Sequence, residues 1–153
     1  MRHHLVGLAA AAFGLLAAVT PALAQQQALD PAAISITALE DVQWVTDPGG
    51  GSERATLYGD PSQAGPYGFF IKWKAGNFSM PHRHPNDRHI IVVQGTWWVG
   101  TGTDFDVDTT VPLGPGAFVV HHAGEAHYDG AKDVDAVMLI QGEGPGTSTP
   151  AVP

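Results

Sequence analysis

Six of the eight histidines follow Ala24, and all six fall in two short windows, His82 to His89 and His121 to His127. Surface composition does not confine histidine in this way. His82 and His84 are two apart, so on an extended backbone both imidazoles leave the same side of the chain, a spacing suited to two ligands of one ion. His127 follows Ala123, Gly124, Glu125 and Ala126 on what should be a neighbouring strand, from which a third nitrogen can reach the same point. Imidazole suits several first-row metals, and its neutral form keeps a lone pair for them. One divalent transition metal is therefore expected, with iron, zinc, manganese, nickel and copper all left open.

The elements that must carry these side chains read as β-strands. The middle of the chain is dense in glycine and proline, lacks helical periodicity, and offers short apolar or alternating runs between turn signals. In Phe69 to Lys74 the alternation puts Phe69, Ile71 and Trp73 on one face and Lys72 and Lys74 on the other. Ile90 to Val93, Thr96 to Val99, Phe105 to Val111, Ala117 to Val120 and Val134 to Gln141 continue the series. About eight strands in so small a domain predict an all-β closed barrel or jelly roll with little helix, since open edges would be a liability. Residues 41–142 form this domain, 25–40 an N-terminal arm, and 143–153, rich in glycine and proline, a flexible tail.

Two segments then resemble a known family. Gly76, five residues, His82-Arg-His84, Arg88 and Gly95 resemble the first cupin motif. Gly116, five residues, His122-Ala-Gly124-Glu-Ala-His127 resembles the second, with His122 where proline is usual. Leu57 to Pro61 and Gly95 to Trp98 also resemble a group of small exported bacterial cupins. The resemblance implies a double-stranded β-helix, the cupin jelly-roll barrel, in which His82, His84 and His127 fill the three histidine ligand slots. It does not select a reaction, because one fold hosts dioxygenases, isomerases, lyases and non-enzymatic binders.

The chain departs from the family at the fourth slot, where Arg88 stands in place of the usual glutamate. A protonated guanidinium has no lone pair for a metal, so a three-histidine site is expected. His89 fits an alternative spacing, but neighbouring strand residues face opposite ways. Without the glutamate the ion's charge is uncompensated, which favours an anionic ligand, held by Arg88 as the catalytic-site cation. The rival reading is that Arg88 repels the metal. His121 and His122 read either as partners that orient a ligand or as caps of a strand at the barrel mouth. Asp87 and Glu125 read either as orienting carboxylates or as exposed loop acids, and Ala131 replaces a frequent asparagine of the second motif.

Two functions follow as alternatives. One is a metal-dependent enzyme of oxygenase, isomerase or lyase type acting on a small anionic or oxygen-rich molecule. The other is a non-catalytic periplasmic binder of a metal or small ligand. Phe69, Trp73 and the inward member of Trp97 and Trp98 fill the core or line a ligand pocket. The outward tryptophan hints at a homodimer. Pro48 to Ser52 lacks the lysine and helix of a phosphate loop and reads as a turn.

Composition narrows the partners. A formal net charge of −8 argues against nucleic acid or an anionic membrane. Met1 to Ala24 reads as a secretory signal cut after Ala24, leaving a periplasmic or secreted protein with no membrane attachment. With no cysteine, stability in that oxidising compartment must come from the core and from metal.

Overall fold

In the computed structural model, residues 29–151 are described. The expected signal segment, 1–24, lies outside them. A 3-10 turn at Leu39–Asp41 precedes β1 (Val45–Thr46), β2 (Ser52–Tyr58), β3 (Gly65–Trp73), β4 (Asn77–Phe78), β5 (His82–Arg83) and β6 (Arg88–Gln94). There follow β7 (Trp97–Thr101), a second 3-10 turn at Val107–Thr109, β8 (Val111–Leu113), β9 (Phe118–His121), β10 (His127–Ala131), β11 (Ala136–Gly144) and β12 (Thr149–Pro150).

These strands form two antiparallel sheets, ordered β1-β2-β3-β11-β6-β9 and β12-β5-β10-β7-β8, with β4 paired to β10. The jelly roll expected from the sequence is present. The closed barrel is not, because no hydrogen-bonded ladder joins the two sheets among the described residues. Packing of inner faces therefore does the work that closure would have done. Between the sheets lie Tyr67, Phe69 and Ile71 of β3, Ile90 and Val92 of β6, Trp97 of β7, and Met138 and Ile140 of β11, all buried. Burial of each such side chain is worth about 1.5–3 kcal/mol.

The alternation read in β3 and β6 sets these faces. Ile90 and Val92 are buried, whereas Ile91 between them is exposed. At the turn from β6 to β7, Gly95 has φ +73, and a Cβ there would collide with the Asp135 carbonyl. That close approach explains a motif glycine by packing alone.

Three expectations need correction. The run from Phe105 to Val111 is not a strand. Asp106 accepts from the Asp108 amide at 2.9 Å and Thr110 Oγ1 donates to the Val107 carbonyl at 2.6 Å, so side chains satisfy the backbone locally in place of a ladder. The expected tail is also ordered into the fold. Thr149 and Pro150 pair with Arg83 and His82 of β5, and buried Ala151 donates its amide to the Pro81 carbonyl at 2.9 Å. Glycine and proline suit this segment to a path along a sheet edge, which composition alone presents as a loose end. Finally, the outward Trp98 is half-buried, with the Lys132 ammonium 4.0 Å from its ring centre, so its apolar face is already covered.

Candidate metal centre

His82 and His127 are direct cross-strand partners on β5 and β10, and His84 follows two residues beyond His82. The loops bearing the two motifs are tied together by the Gly124 amide, which donates to the His84 carbonyl at 2.8 Å. Ring centroids are 4.5 Å apart for His82 and His127, 4.7 Å for His82 and His84, and 5.2 Å for His84 and His127. One ring nitrogen from each lies within 4.8 Å of the others, close enough for one ion to touch all three.

Backbone carbonyls fix which nitrogen is free. Nδ1 of His82 bonds the Met80 carbonyl at 2.9 Å, Nδ1 of His84 the Thr147 carbonyl at 2.8 Å, and Nδ1 of His127 the Glu125 carbonyl at 3.1 Å. A carbonyl only accepts, so each Nδ1 carries the proton and each Nε2 keeps its lone pair. Nε2 of His84 and of His127 is buried without any protein partner. Buried polar atoms are rarely left so, and a cation bound between them satisfies both. The orienting groups are carbonyls, not the carboxylates of Asp87 or Glu125. Asp87 instead accepts from the Ala123 amide at 2.7 Å and lies 3.6 Å from exposed His122.

Burial also keeps the imidazoles uncharged. It pushes His84 down to about 3, assisted by the Arg88 charge, and His127 down to about 4, assisted by His82. At neutral pH both offer lone pairs, so the donor set fits a divalent first-row ion.

Arg88 points inward from β6, opposite His121 of β9. One of its Nη atoms donates to the Gly146 carbonyl, and burial holds its pKa below the usual arginine value. His89 is exposed on the other face of β6, its ring 6.1 Å from that of Phe118, and is remote from the triad's face of the sheet.

Two inward residues lie beyond the expected triad: His121, read from the sequence as an orienting partner or a strand cap, and Asp129, which the sequence did not single out. His121 is buried with its ring centroid 3.7 Å from that of His127, and its pKa is pushed down to about 2 by burial and then by His127. Asp129 is buried two residues beyond His127, and His121, His127 and Asp129 form a second cluster of donors within 4.8 Å. Burial raises the Asp129 carboxyl, against the pull of His82, the Trp97 and Trp73 indoles, and Arg88. The two-residue parity that pairs His82 with His84 also pairs His127 with Asp129, and was the available signal. A cavity of about 550 Å³ opens at the centre, lined by His82, His84 and His121 together with apolar Ile71, Trp73 and Met138.

Residues 33–146 match the family profile described as ChrR Cupin-like domain. No curated protein sequence matches the chain. Among solved structures, KdgF from Halomonas sp. is 22% identical with a TM-score of 0.55, over 71% of this chain and 92% of that one. The polyketide cyclase RemF from Streptomyces resistomycificus is 19% identical with a TM-score of 0.59, over 72% and 79%. A cupin-2 domain protein from Rhodospirillum rubrum is 14% identical with a TM-score of 0.58, over 78% and 80%. At these identities the likeness is one of fold.

Proposed function

The chain belongs to the ChrR cupin-like family of the cupin superfamily, and on that premise we propose that it is an exported, metal-dependent enzyme acting on a small anionic or oxygen-rich molecule. The observation that carries this reading is the convergence of three imidazoles whose Nδ1 protons are pinned to carbonyls, leaving lone pairs aimed at one point. A divalent ion held by His82, His84 and His127 would supply Lewis-acid polarisation or, if redox-active, electron transfer.

The chain's own groups do the rest. Arg88 supplies a fixed positive charge on the cavity wall and holds the substrate's anionic end. Trp73, Trp97, Ile71 and Met138 exclude water and strengthen every charge interaction inside. Asp129, raised by burial, keeps its carboxyl proton to higher pH than an exposed aspartate and lines the cavity as a candidate proton donor. The polyketide cyclase among the structural neighbours shows that this fold accommodates an enzyme.

Arg88 in the glutamate slot favours a second reading, a non-catalytic binder of a metal or small ligand. One experiment addresses both. Protein purified from the cell envelope is assayed for metal content, then loaded anaerobically with iron, zinc, manganese or nickel and screened for turnover. Stoichiometric metal with turnover supports the enzyme. Tight metal with no anion exchange and no turnover supports the binder. No metal in the native chain, with no difference on replacing His84, sinks the enzyme and the metal binder and leaves only a binder of a small ligand.

A further inference from the structure

The inner face of the larger sheet carries two arginines. Arg54 of β2 is the cross-strand partner of Ile71, and directly opposed residues send their side chains to the same face. Arg88 alternates with buried Ile90 and Val92 on β6. Both guanidinium-bearing side chains line the cavity that His82 and His84 also line.

Neither cation is neutralised by a hydrogen-bonded carboxylate. The carboxylate paired with Arg54 is that of Asp47, whose Oδ1 is 3.8 Å from Nη2, and Asp47 already accepts from Ser52 Oγ at 2.6 Å through its other oxygen. The Arg54 Cζ lies 4.6 Å from the Phe69 ring centre, so the guanidinium itself rests against that ring. Arg88 gives one Nη to the Gly146 carbonyl and is also steadied by the Tyr67 hydroxyl, while Asp129 exerts a weaker attraction on it. Among the described residues, the Nε of Arg54 and the Nε of Arg88 are both buried without a partner. Orphaned buried donors of this kind call for an acceptor, and a planar fork with a free edge matches an oxyanion with two parallel hydrogen bonds. The two charges also sense each other, since Arg54 contributes to holding the Arg88 pKa down. Like charges facing one cavity favour an anion between them.

We propose that Arg54 and Arg88 form an oxyanion seat in the cavity wall, so that the substrate is a small molecule bearing a carboxylate or phosphate at one end and oxygen donors for the metal centre at the other. The second half rests on the proposed function. The seat itself needs no metal, and Arg54 is its specificity-determining residue.

The test starts with the full chain stripped of metal by a chelator. Malonate, inorganic phosphate and the neutral isostere malonamide are titrated at constant ionic strength, followed by the fluorescence of Trp73 and Trp97 and by calorimetry. One of the two anions should bind and malonamide should not, and the tighter anion identifies the head group. Arg54→Met and Arg88→Met should each weaken anion binding at least tenfold. Arg54→Met keeps a side chain against Phe69. If it fails to fold even so, the comparison of malonate with malonamide on the native chain decides alone. Equal binding of malonamide and malonate, or native-like anion affinity in a folded Arg54→Met chain, overturns the seat. Zinc loading should tighten malonate binding further. Unchanged affinity would overturn the link to the metal centre and leave the seat standing.

Discussion

The Gly124 amide donates to the His84 carbonyl at 2.8 Å, so the glycine of the second motif holds a ligand of the first. Gly124 has φ +77 with open space where a Cβ would stand. Gly124→Ala should therefore strain the backbone without a clash, lowering stability by about 1 kcal/mol. Because the loop also sets His84, zinc affinity should fall along with the denaturation midpoint. A lowered midpoint with unchanged zinc affinity would separate the loop from the site.

Replacing His84 or His127 by alanine should abolish most metal-dependent stabilisation. Ligand at 100 times its Kd stabilises a protein by about 2.7 kcal/mol, so native chain should melt several degrees higher with saturating zinc. His89→Ala, on the outer face, should keep the full shift. Thermal melts with and without zinc check both, and a retained shift in His127→Ala argues against the triad.

Acid should destabilise the metal-free protein through its buried histidines. The folded values of His84, His121 and His127 are about 3, 2 and 4, below the ordinary value of 6.5. Their contribution is thus complete above about pH 6.5, where the unfolded chain is also neutral, and declines as pH falls and the unfolded chain alone takes up protons. Urea midpoints at pH 7.5, 6 and 5 should fall in that order. Asp129, whose carboxyl burial raises, works in the opposite sense, so the series is run on Asp129→Asn, where a midpoint rising toward pH 5 would contradict the burial that keeps these rings neutral.

Met138 joins the core to the cavity wall, being fully buried and lining the cavity. Met138→Ala should cost about 2–5 kcal/mol, because the sheets relax only in part around the lost volume. Urea denaturation measures the loss, and a cost under about 1 kcal/mol would mean that the wall collapses freely.

The sequence exposed the triad because strand alternation is a two-residue rule, and His82 on β5 and His84 just past its end keep to it. The same rule required one of Trp97 and Trp98 to face inward without choosing between them, and Trp97 is the buried one. Asp129 went unread although it bears the same relation to His127, since a lone acid has an exposed reading that parity alone does not overrule. His121 is placed by pairing with Arg88 across two strands, and register between distant strands is absent from local pattern. The turn at Val107–Thr109 defeated alternation for a different reason. Asp106, Thr109 and Thr110 cap their own backbone, so short polar side chains outcompete a strand partner.

The Thr147 carbonyl that holds the His84 proton comes from the segment leading into β12, beyond the last long strand. Trimming the protein at Gly144 to obtain a tidier sample would keep both sheets' long ladders yet release that imidazole to flip its tautomer. Residues 145–151 are as much a part of the centre's wiring as the histidines they steady.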